Sequence, residues 1–102
     1  MTDQFAIESS HWSGLSKLNE ECGEVIQIVG KILGTKGETT HFGGSDLRVR
    51  LEEELADLLA AIDFFCENNV LSGDPLAIAK RRQAKLARFR EWGGYEYGES
   101  ER

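Results

Sequence analysis

The chain reads as all-α: an antiparallel helical hairpin plus a basic third helix, suited to assembly into four-helix-bundle oligomers. Three observations lead there. Apolar residues recur at helical spacing through two long stretches, while the chain has one proline, Pro75, and no alternating Val/Ile/Thr-rich run that would mark a strand. The two stretches repeat one another. A length of 102 residues gives room for one core and not two, so a single domain is expected over 1–102, with its core at about 15–92 and a frayed tail at 95–102.

Residues 1–13 are a mixed lead-in with room for a short helix around Phe5 to Trp12, and Ser13 or Ser16 can cap the long helix after it. From Leu15 to Leu33 the residues Leu15, Leu18, Cys22, Val25, Ile26, Val29, Ile32 and Leu33 make one apolar stripe, hence a helix. Residues 34–45 hold four of the eleven glycines and no periodicity, so they form a loop. Asp46 or Ser45 can cap a second helix, which carries Leu47, Leu51, Leu55, Leu58, Leu59, Ile62 and Phe65 on one face and ends near Asn69. A turn comes next, in which Asp74 caps a third helix with Pro75 at its first position. That helix is expected to stop at Gly93-Gly94.

Charge narrows the function classes. Twelve Lys+Arg stand against 18 Asp+Glu, a net charge of -6, which argues against a broadly basic surface for nucleic acid. Cys22 and Cys66 form no C-x-x-C motif and read as reduced thiols in or near a core, as in a cytoplasmic protein. Met1 to Gln4 lacks a basic stretch leading into an apolar one, so no secretory signal is expected. No apolar run approaches the ~20 residues that span a bilayer, so no membrane partner is expected.

A shift of 33 residues lays the first helix on the second: Leu18, Glu20, Glu21 and Glu24 fall on Leu51, Glu53, Glu54 and Asp57. At about 100° per residue, Lys17, Glu21, Glu24, Ile28 and Lys31 form one stripe along the flank of the apolar face. Arg50, Glu54, Asp57, Ala61 and Phe64 repeat its spacing on the second helix. If the apolar faces pack together, the two carboxylate pairs face each other. Four carboxylates brought close repel unless a cation lies between them, and oxygen-only ligands favour Mg²⁺ or Mn²⁺. A di-iron bundle would need Glu-x-x-His, and neither His11 nor His41 stands three residues after a helical Glu.

With EECGE at residues 20–24 and EELAD at 53–57, the chain resembles the MazG-like all-α nucleoside triphosphate pyrophosphohydrolases and their E-E-x-x-E … E-x-x-D signature. The resemblance covers about residues 15–92. The 29 residues between Glu24 and Glu54 sit at the long end of that family's range, which makes the loop a local elaboration. The resemblance implies cleavage of a (d)NTP between the α and β phosphates, with Mg (Mn possible) as cofactor. It implies Glu21, Glu24, Glu54 and Asp57 as metal ligands, Glu20 as the residue that orients or deprotonates the attacking water, and Glu53 in a supporting role. Phosphoribosyl-ATP pyrophosphatase is a nearer alternative within the same superfamily.

The third helix holds six cations against the single acid Glu91, a local +5 that leaves -11 for the rest of the chain. Lys80, Lys85 and then Arg88 are candidates for phosphate contacts, with Lys17 and Lys31 on the carboxylate stripe as others. The loop lacks the G-x-x-x-x-G-K-[ST] order of a P-loop. Its His41 and Phe42, and Trp12 from the lead-in, could stack on a base. The second helix is richer in large apolar groups than one partner can bury, so a homo-oligomer is expected, dimer or tetramer. A competing reading makes the chain a non-enzymatic helical oligomer whose basic helix engages an acidic partner.

Overall fold

A computed structural model describes residues 12–39 and 46–97, with the backbone alone for 94–97. Three helices and no strand lie among them: α1 (Leu15–Gly34), α2 (Leu47–Asn68) and α3 (Ala77–Tyr97). The chain divides into two units, Met1–Val70 and Leu71–Arg102, each described by itself. Residues 1–11 and the loop segment with His41 and Phe42 lie outside the described residues.

The first unit contains a hairpin of α1 and α2. The start of α1 departs from expectation, because neither Ser13 nor Ser16 caps it. Its N-cap is Gly14, with φ 86° and no side-chain hydrogen bond. Glycine is required there on two counts. The backbone is left-handed, and an added Cβ would lie 2.7 Å from Phe64 Cδ2. α1 closes with Lys36 (φ 58°) in the left-handed position that glycine usually fills: its N–H donates to the Leu33 carbonyl at 3.1 Å, and the Gly37 N–H donates to the Ile32 carbonyl at 2.9 Å.

Asp46 caps α2 as expected, its Oδ1 accepting from the Arg48 N–H at 2.9 Å. The Leu47 N–H donates to the Thr39 carbonyl at 2.7 Å, tying the segment after α1 to the start of α2. At the other end, the Asn69 amide donates to the Ser13 and Phe65 carbonyls, both at 2.8 Å. Trp12 stacks on Phe65 with centroids 6.0 Å apart and planes at 17°. The end of α2 is thus fastened to the start of α1, as an antiparallel pair demands.

The contact between the helices corrects the expected one. The buried apolar residues among those described are Ile28, Leu47, Ala61 and Phe65. Ile28, only 1% exposed, and Ala61 belong to the carboxylate stripes, not to the apolar ones. Each helix is turned so that the carboxylate stripe borders the contact directly. Leu18, Val25, Ile32, Leu51, Leu58 and Ile62 are half-buried, while Ile26 (71%), Leu33 (72%) and Leu59 (58%) are left exposed. The cause is the breadth of the apolar surface, which exceeds what one partner helix can cover. Cys22 is likewise exposed and Cys66 half-buried, so Cys22 is no core residue.

In the second unit, Asp74 Oδ1 accepts from the Leu76 N–H at 2.9 Å, and Lys80 Nζ donates to Asp74 Oδ2 at 3.1 Å. Pro75 and Leu76 form a turn, and the helix proper begins at Ala77. It does not stop at Gly93-Gly94 but runs on to Tyr97. Glycine lacks a side chain but keeps its N–H, so it costs a helix about 1 kcal/mol and does not end one. No helix among the described residues is long and apolar enough to cross a membrane.

Candidate functional site

The repeated motifs meet across the hairpin. Glu21 from α1 and Glu54 and Asp57 from α2 each offer an oxygen, and these oxygens all lie within 4.8 Å of one another. Opposite ligands of an octahedral Mg²⁺ lie about 4.2 Å apart, so small side-chain adjustments fit the three to such an ion. Glu21 and Glu54 are half-buried and Asp57 is exposed. The site is therefore open to solvent on the Asp57 side, as an ion that keeps waters requires.

The electrostatics bear the mark of crowding. The Glu54 carboxyl is pushed above its ordinary value, first by partial loss of hydration, then by the charges of Glu24, Asp57 and Glu21, with Arg50 opposing. Glu24 thus acts on Glu54 although it stands outside the 4.8 Å set.

The remaining residues sort by position. Glu20 is exposed and accepts a 2.6 Å hydrogen bond from Lys17 Nζ, which also lies 3.7 Å from Glu21 Oε2. The Lys17 ammonium is held above its ordinary pKa, chiefly by that hydrogen bond and the Glu20 charge. Glu53 is exposed and outside the set. Lys31 sits in the last turn of α1, ten residues past Glu21, which is about 15 Å along the axis. Trp12 has one face on Phe65. Lys80 pairs with Asp74, Lys85 lies 5.4 Å from the Phe89 ring centroid, and Arg88 lies 5.6 Å from that of Trp92, all within the second unit.

Beside the carboxylates opens a cleft of about 230 Å³, lined by Lys17, Glu21, Asp57, Ala60, Ala61 and Phe64. The charge pattern of the sequence does not point to its apolar half. A signal for it was present all the same, since Ala61 and Phe64 continue the stripe of Glu54 and Asp57. Compared with known protein families, with curated proteins and with solved structures, the chain finds no match in any of the three.

Proposed function

We propose that the chain is a Mg²⁺-dependent nucleoside triphosphate pyrophosphohydrolase that cleaves between the α and β phosphates, releasing a nucleoside monophosphate and pyrophosphate. The observation that carries this reading is the convergence of Glu21, Glu54 and Asp57, one from the first motif and two from its repeat. Together with Glu24, they would hold the ion. Bound there, Mg²⁺ or Mn²⁺ supplies charge neutralisation for the polyphosphate and a more acidic water.

The chain's own residues do the rest. Lys17 lines the cleft, and in this proposal it meets a phosphate oxygen. Glu20, the expected proton acceptor, is bonded to Lys17. A phosphate that draws Lys17 away frees Glu20 to orient the attacking water, and Glu53 supports the same side from α2. Lys80, Lys85 and Arg88 of α3, in the second unit, are candidates for phosphate contact by their charge alone. The site is completed in a cytoplasmic homo-oligomer, a role suited to the exposed Ile26, Leu33 and Leu59.

A panel of (d)NTPs with Mg²⁺, read for pyrophosphate against inorganic phosphate, tests the reaction. Pyrophosphate as first product is expected, and inorganic phosphate as first product contradicts it. Including phosphoribosyl-ATP separates the near alternative. Glu21→Gln and Asp57→Asn are each expected to lower turnover by at least about a hundredfold, in line with the loss of an ion ligand, while circular dichroism shows the helices intact.

A further inference from the structure

The cleft beside the carboxylates has an apolar wall that the phosphate chemistry leaves unused. Lys17, Glu21 and Asp57 line its charged part, and two of these, Glu21 and Asp57, also belong to the carboxylate set. Ala60, Ala61 and Phe64 line the remainder. Phe64 stands seven residues after Asp57, two turns and about 10 Å along one face of α2.

Two features make Phe64 more than a stray surface aromatic. The residue is 37% exposed, and it lines the cleft together with two alanines, whose small side chains leave room above the helix. The ring also packs against the start of α1. Gly14 packs so closely that an added Cβ would lie 2.7 Å from Cδ2 and 2.9 Å from Cε2. Asn69 and Trp12 lock the same end of the hairpin. A ring with little freedom left to lose is a preorganised surface for a flat ligand.

We propose that this cleft seats the base of the nucleotide, with Phe64 as its stacking platform, while the phosphates extend past Lys17 to the carboxylates. The assignment rests on the pyrophosphohydrolase reading and deepens it. Neither His41, Phe42 nor Trp12 is needed for this contact.

The test compares a nucleotide with the base-free substrate tripolyphosphate. Phe64→Leu keeps an apolar side chain and loses the π-face. The ratio of kcat/KM for the nucleotide to that for tripolyphosphate is expected to fall about tenfold in Phe64→Leu and to stay within about twofold in Phe64→Tyr, the lower part of what base–aromatic stacking supplies. An unchanged ratio in Phe64→Leu overturns the proposal.

A measurement on the parent protein does not depend on the variants folding. The Phe64 ring resonances are expected to shift on addition of a nucleoside α,β-methylene triphosphate and to stay in place with tripolyphosphate. Ring resonances that ignore the nucleotide while Lys17 and Ala60 respond overturn the proposal as well. Nucleotide turnover with an unchanged ratio removes the base seat alone. No turnover of any nucleotide by the parent removes the enzymatic reading, and the base seat with it.

Discussion

Glu54 stands where packing and charge conflict. It is crowded by Glu21 and Glu24 across the hairpin and by Asp57 on its own helix, is partly screened from water, and has its carboxyl held above the ordinary 4.5. The folded chain therefore takes up this proton more readily than the unfolded one. Between the ordinary value and the raised one, stability falls as pH rises, and above it the full loss remains. In chelator, the melting temperature is expected to decline as pH rises from the ordinary carboxylate value through the raised Glu54 titration, and Glu54→Gln is expected to flatten that decline. Melts of both proteins across that range check it, and an unaltered slope in the variant removes the claim. Added Mg²⁺ is expected to raise the melting temperature of the parent and to do so far less in Glu54→Gln, because a ligand of the folded state has been lost.

The starts of α1 and α2 differ in how legible they were. Asp46 is a short acceptor placed just before an apolar-periodic run, and its bond to the Arg48 N–H makes it the cap of α2. Asp46→Ala is expected to cost about 1 kcal/mol, read as a shift in the denaturation midpoint. The start of α1 was not legible, because Ser13 and Ser16 offer the better capping side chains while the position is decided by Phe64 pressing on Gly14. Gly23, inside α1, has nothing within 4 Å of an added Cβ. Gly23→Ala is therefore expected to stabilise by about 0.5–1 kcal/mol, and a loss in the same denaturation experiment would show that something covers that position. The run of α3 through Gly93 and Gly94 shows the same limit, since a residue that weakens a helix need not end it.

Across the hairpin, the carboxylates border one side of the contact. The exposed stripe of Leu15, Cys22, Ile26, Val29 and Leu33 on α1 lies round the other side, and Leu55 and Leu59 match it on α2. Antiparallel pairing reverses one helix, so both stripes come to the same face, away from Glu21 and Asp57. A homo-oligomer built on that face is expected, and Ile26→Glu with Leu59→Glu is expected to reduce it to monomer by light scattering while the helices persist. A parent protein that is monomeric at high concentration disposes of the idea.

The carboxylate spacings and the helices that carry them are local properties. About 100° of turn per residue places Glu21 and Glu24, or Glu54 and Asp57, on one side of a helix whatever else the chain does. Which of them meet is not local. It depends on how far each helix turns about its own axis, and apolar stripes too broad for one partner leave that rotation open. Only packing settled it: Ile28 and Ala61 went inward, Glu21 came to Glu54 and Asp57, and Glu24 was left outside the 4.8 Å set. The seating of Phe64 against Gly14 likewise joins residues 50 apart, through a close approach that no spacing along the chain encodes.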